Sequence, residues 1–289
     1  MSSASSNPPE RENPYYVDPE SGAEMARLLD QDRLVTKGMG GLFSGFSDSE
    51  ISRIQRILDI ACGPGGWAQE VAFNYPEKEV VGFDISQSMI EYAREQAHLQ
   101  QLHNASFHVM NVMKPLDFAD GSFDLVNARS ISFVPFAAWP SLLQECQRIL
   151  RPGGIICLSE GEIPFTNKFA YETLWRWLSQ ALHKAGQGFS PSGHQLGVVP
   201  MLGYLLRQAG FQDIRQNPHM LDASLGSESY EGGRKDMLIA SKLFEPFVTG
   251  LGIATPQEYD RLYEQMQIEM IADDFRSIAL MVTFIGTRP

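Results

Sequence analysis

The sequence predicts an α/β protein built on a doubly wound parallel sheet. Three observations carry that expectation. From Arg53 onward, short apolar runs alternate with stretches whose apolar residues recur at helical spacing. The first of these runs leads straight into a glycine-rich turn, Gly63-Pro64-Gly65-Gly66. A second breaker, Arg151-Pro152-Gly153-Gly154, separates a helical pattern from another apolar run.

Taken in order, residues 1–14 are rich in Ser, Pro, Asn and charge without apolar periodicity, and read as a disordered tail. Residues 15–52 read as a helical flap. Asp18 is its expected N-cap, Pro19 its first helical residue, and Leu34 its approximate end. Residues 53–289 read as one domain. Strand one is Ile57 to Ala61, and the helix after it places Ala68, Val71, Ala72 and Tyr75 on one face. Strand two, Glu79 to Asp84, precedes a helix capped by Ser86. Strands three to five follow at Ala105 to Met110, Phe123 to Ala128 and Ile155 to Ser159. Two helical insertions, at about 163–209 and 227–275, interrupt the alternation. The second contains a capping box at Thr255-Pro256-Gln257-Glu258.

Composition narrows the function. A net charge of -12 disfavours nucleic acid, whose phosphates call for clustered Lys and Arg. No apolar run approaches the roughly 20 residues of a membrane span, and no secretory signal is visible, so a cytoplasmic protein is expected. Cys62, Cys146 and Cys157 are too scattered for a metal or redox pair, and no metal is expected. Oligomeric state is not legible.

The turn itself admits two ligands. Gly63-x-Gly65-x-x-Ala68 fits a dinucleotide fingerprint, whereas Asp59, four residues before Gly63, would repel a diphosphate and welcome a cationic amine or sulfonium. Asp84 at the end of strand two suits two ribose hydroxyls, and Asn111 at the end of strand three suits an adenine amino group.

Across residues 56–159 four stretches occur in order: Leu58-Asp59-Ile60-Ala61-Cys62-Gly63-Pro64-Gly65-Gly66, Gly82-Phe83-Asp84-Ile85-Ser86-Gln87-Ser88-Met89, Gly121-Ser122-Phe123-Asp124-Leu125-Val126 and Arg148-Ile149-Leu150-Arg151-Pro152-Gly153-Gly154. In these the chain resembles the class I methyltransferases dependent on S-adenosyl-L-methionine (SAM), and most closely their quinone-methyltransferase-like, small-molecule branch. The resemblance implies a Rossmann-like sheet of seven strands, mostly parallel with one reversed, the last two at about 211–216 and 277–286. It implies SAM as cofactor, held by Asp59, Ala61, Gly63, Gly65, Asp84, Ile85, Met89, Asn111, Val112 and Arg129. Two positions depart from the family pattern: Ala61 stands for a glycine, and Asn111 where the family often has Asp.

Methyl transfer from a sulfonium disperses charge, so positioning carries most of the rate, and a base is needed only for a protonated nucleophile. His194, in a Gly/Ser/Pro loop, and Glu162, after strand five, are the expected catalytic residues. Glu160, His183, His219 and Asp222 are further candidates, and Arg33 is a second possible partner for the SAM carboxylate. Aromatic and Met positions in the insertions suggest a lid over a small aromatic or lipophilic acceptor, with O-methylation ahead of N- or C-methylation. The rival readings are a non-catalytic SAM-binding protein and a nicotinamide-dependent oxidoreductase.

Overall fold

The computed structural model describes residues 13–289. Except for Asn13 and Pro14, the expected tail lies outside those residues.

The N-terminal helix α1 is Gly22–Gly38. It starts later than expected because Asp18 closes a turn, accepting from the Glu20 amide, and Ser21 becomes the N-cap. It also runs a turn beyond Leu34. A short α2, Asp48–Arg53, was not anticipated, although its capping box Ser47/Glu50 is visible in the sequence. Alternation then follows the expected order: β1 Arg56–Ile60, α3 Gly66–Asn74, β2 Glu79–Asp84, α4 Gln87–Leu99, β3 Ala105–Val109, β4 Phe123–Arg129, α5 Trp139–Ile149 and β5 Leu150–Gly161. Ser86 caps α4 by accepting from the Met89 amide.

Beyond β5 come a two-residue β6 (Phe165–Thr166), α6 (Phe169–Lys184), α7 (Val198–Gln208), β7 (Gln212–Asp222), α8 (Tyr230–Gly250), α9 (Pro256–Met270) and β8 (Ser277–Thr287). Pro246 sits inside α8, and the Thr255/Glu258 capping box opens α9. β7 is much longer than the strand expected near 211–216, because its outer half pairs with β8 out to Asp222↔Ile278.

The described residues form one sheet of eight strands, against the seven expected. The extra strand is β6, which pairs with Ser277 and Ile278 of β8 and so continues the edge that β5 uses from Met281 onward. β1 to β5 are mutually parallel and β8 is the single reversed strand. Sequential order runs β3-β2-β1 and then reverses to β4-β5. This places a crevice at the carboxyl ends of β1 and β4, where open α/β sheets hold ligands.

Both faces of the sheet are covered, so Ile57, Leu58, Val80, Phe83 and Val126 are fully buried in near-continuous apolar strands. α5 and α7 pack on one face through Trp139, Leu143, Leu202 and Leu206, and α3 and α4 on the other through Trp67, Val71, Ile90 and Ala93. A separate cluster of Tyr171, Leu174, Phe244, Tyr259 and Met266 joins α6, α8 and α9 into the cap over the crevice. Among the described residues no helix is long and apolar enough to cross a membrane.

Candidate active site

The crevice is a cavity of about 320 Å³ running from the ends of β1, β2 and β3 to the helices of the cap. Its two ends differ in chemistry.

At the first end the backbone leaves β1 through left-handed conformations at Ala61 (φ 52), Gly63 (φ 54) and Gly65 (φ 79). Gly65 is required twice over, since a Cβ there would lie 2.8 Å from the Phe107 ring. Ala61 carries the steric cost that a glycine at this position would avoid. The loop is held by Asp84, whose two carboxylate oxygens accept from the amides of Gly63 and Ser86, each at 3.0 Å. Burial raises the Asp84 pKa against the opposing pull of those amides. Asp59 is 4% exposed and accepts from Asn127 Nδ2 at 2.8 Å. Burial pushes its pKa up to about 7, with the nearby charge of Asp84 adding to the effect. Among the described residues neither carboxylate has an ion-pair partner. One buried and one half-buried acid facing one chamber suit a cationic ligand such as a sulfonium or ammonium, and their lone pairs left over from the loop suit hydroxyls.

Asp59, Ala61, Gly63, Asp84, Ile85, Met89, Asn111, Val112 and Arg129 all line this cavity. Gly65 does not. It acts through the turn it permits, packed behind the loop against Phe107, Gln69 and Ala93. Asn111 combines both readings given to it: it lines the cavity while its Oδ1 accepts from the Met113 amide to form a turn. Arg129 is ion-paired to Asp32 of α1 and donates to Thr36 Oγ1 at 2.8 Å. The α1 residue that meets Arg129 at the site is therefore the Asp32 carboxylate, while Arg33 is exposed and off the cavity.

The far end is walled by Tyr15, Tyr16, Phe133, Tyr171, Trp175 and Phe244. Tyr15 stacks edge-on against Phe133 with ring centroids 5.0 Å apart, and Trp175 against Phe244 at 5.6 Å. Inside this wall lies a buried polar cluster. Arg27 of α1 pairs with Glu24 at 2.7 Å and with Asp236 of α8 at 2.8 Å, Tyr15 donates to Glu24, and Gln31 donates to Asp236. This cluster ties the N-terminal segment to the cap. The sequence offered the Glu24/Arg27 spacing and the Tyr15-Tyr16 doublet as signals, but nothing local pointed to Asp236, 209 residues from Arg27.

The two expected catalytic residues are placed differently from one another. His194 is exposed and does not line the cavity; its loop reaches the cavity through Leu196 instead. Glu162 lines the cavity, but its carboxylate accepts from the amides of Gly197 and Val199 at 3.0 and 3.2 Å, capping the start of α7. Of the other candidates, His183, His219 and Asp222 lie outside the cavity, while Glu160 lines it, is 1% exposed and accepts from the Ile131 amide at 2.6 Å.

Residues 57–154 match the methyltransferase domain family. A Schizosaccharomyces pombe protein named as an uncharacterized methyltransferase is 31% identical over 119 residues, which are 39% of this chain and 42% of that protein. The chain thus spans less than half the length of this relative. Demethylmenaquinone methyltransferase of Geobacillus kaustophilus is 28% identical over 180 residues, 58% of this chain and 76% of that protein. Among solved structures, Haemonchus contortus phosphoethanolamine N-methyltransferase 2, in complex with phosphomonomethylethanolamine and S-adenosylhomocysteine, matches with a TM-score of 0.50 at 20% identity, covering 94% of this chain and 60% of that one. That likeness bears on the fold alone. With four ordered motifs, a parallel sheet with one reversed strand and a turn flanked by two acids without ion-pair partners among the described residues, the domain at residues 57–154 is a class I SAM-dependent methyltransferase domain.

Proposed function

We propose that the protein moves the methyl group of SAM to a small lipophilic acceptor bearing an aromatic ring, at oxygen in preference to nitrogen or carbon. The observation that carries this reading is the continuity of one cavity from the Asp59/Asp84 end to the aromatic chamber of the cap. SAM supplies an electrophilic methyl on a sulfonium. Asp59 is suited to its cationic methionine end, Asp84 to its ribose hydroxyls, and Ile85, Met89, Asn111 and Val112 to its adenine. Arg129 is suited to its carboxylate, in exchange for or alongside Asp32.

Aromatic walls favour a flat, apolar acceptor, which they hold by area and ring–ring contact. The cation at the chamber, Arg27, is already matched by two carboxylates. An anionic acceptor such as the phosphate ester in the Haemonchus structure would meet no spare positive charge there among the described residues. A neutral ring compound suits the chamber better, in keeping with the demethylmenaquinone in the name of the Geobacillus relative. Oxygen is put first because a neutral phenol or enol fits this balance; N- and C-methylation follow.

The test is calorimetric titration with SAM, followed by an assay of S-adenosylhomocysteine release from phenols, quinones, amines and fatty acids. Turnover confined to ring acceptors is expected. SAM binding without turnover of any acceptor would favour the non-catalytic reading.

A further inference from the structure

We propose that Glu160, and not Glu162 or His194, is the general base that takes the proton from the methyl acceptor. The inference rests on the methyl-transfer reading above. Position supports it first. β1, β4 and β5 lie in register through Asp59↔Asn127↔Cys157. Glu160 stands three residues beyond that row, roughly 10 Å further along the sheet at about 3.3 Å per residue. There it lines the same cavity as Asp59 and the aromatic residues of the cap. Anchoring supports it second. The carboxylate is held by backbone amides of the loop after β4, Ile131 at 2.6 Å and Ser132 beside it, which orient the group without neutralising it and leave lone pairs for a proton. Glu162 accepts at both oxygens from the start of α7, where a helix N-terminus favours its ionised form.

The groups that face Glu160 leave it basic. Glu162, just past the end of β5, opposes its ionisation, as burial does, and no cation is paired with it among the described residues. β8 presents Val282 directly opposite. Tyr16 approaches from the N-terminal segment, and behind it the Arg27, Glu24 and Asp236 charges are satisfied among themselves. Burial pushes the Glu160 pKa up to about 8, which matches a base working near neutral pH. In the step, the acceptor O–H proton passes to the Glu160 carboxylate while an oxygen lone pair forms the new C–O bond to the methyl carbon. The C–S bonding pair stays on sulfur, leaving a neutral thioether, and Glu160 later returns its proton to solvent.

The test compares the full-length chain with Glu160→Gln and Glu160→Asp. Readouts are SAM calorimetry, S-adenosylhomocysteine release from phenols of graded acidity between pH 6 and 10, and a ¹³C NMR titration of glutamate carboxyls. Glu160→Gln is expected to keep SAM affinity and to lower kcat/KM by roughly 10²–10⁴-fold for weakly acidic phenols. The loss should shrink for phenols already ionised at the assay pH, and Glu160→Asp should recover part of the rate. The rising limb of the wild-type pH profile near 8 should be absent from the Gln variant, together with one carboxyl resonance titrating there. Equal rates and pH profiles in wild type and Glu160→Gln would overturn the base role alone. SAM binding with no product from any acceptor in the wild type would overturn the methyl-transfer reading and the base role with it.

Discussion

Asp59 on β1 and Asn127 on β4 are joined side chain to side chain at 2.8 Å, across the point where the strand order reverses. The amide fixes the carboxylate at the floor of the cavity without supplying a charge to balance it. A cationic ligand is the natural complement. Asp59→Asn should therefore weaken SAM binding about 10- to 100-fold, the value of a charge-assisted hydrogen bond. The fold should be as stable as wild type or more so, since a buried acid has been removed. SAM calorimetry and thermal unfolding of the variant check both halves.

The raised Asp59 and Glu160 groups predict how stability responds to pH. Their pKa values in the folded chain, about 7 and about 8, exceed those of the unfolded chain, so the native state binds more protons between. This stabilising contribution is full below the unfolded values and is lost as pH rises through 7 and 8. Without SAM, Tm should fall from pH 6 to pH 9, less steeply in Asp59→Asn. SAM should release a proton from Asp59 on binding near pH 6.5, so the calorimetric enthalpy should vary with the buffer's ionisation enthalpy, and this dependence should vanish in Asp59→Asn.

Arg27 lies between two buried carboxylates and is itself 6% exposed. Arg27→Ala leaves Glu24 and Asp236 without their shared cation, and should cost about 3–5 kcal/mol in urea unfolding. Lower pH should recover part of that loss, because burial already raises the pKa of Asp236 and protonation relieves the unpaired charge.

Two substitutions in the loop after β1 should act in opposite directions. Gly65→Ala forces a side chain into a left-handed residue and against Phe107, and should lower both stability and SAM affinity. Ala61→Gly relieves the strain at φ 52 and should raise stability by about 0.5–1 kcal/mol with SAM affinity kept. Denaturant midpoints give the sign of each.

His194→Ala should leave turnover unchanged, since the ring is exposed and off the cavity. Glu162→Gln should lower Tm modestly by weakening the α7 cap, with the pH profile of turnover retained. A turnover loss in His194→Ala would return that loop to the chemistry.

The Asp59/Asp84 end of the cavity was legible because it is local. Asp59, the glycines and Asp84 lie within one β-turn-α-β unit, and their spacing dictates which strand ends they occupy. The last strands were found only in part, since the length of β7 depends on its pairing with β8 more than fifty residues away. The acceptor end was not legible for the same reason. Arg27 meets Asp236 only after the cap has folded over the sheet. His194 lies off the cavity because a loop beside a cavity can present either face, and Glu162 is turned to amides of a helix start 35 residues on. Glu160 differs from Glu162 only in what surrounds it, which no sequence pattern records.

The most direct measurement is a calorimetric titration of the wild-type chain with SAM and, separately, with NAD, repeated in a variant carrying Asp59→Asn and Asp84→Asn. One-to-one binding of SAM, no heat from NAD and loss of SAM binding in the double variant are predicted. Binding of NAD in place of SAM, or SAM binding that survives removal of both carboxylates, would contradict the assignment of this turn to a sulfonium donor.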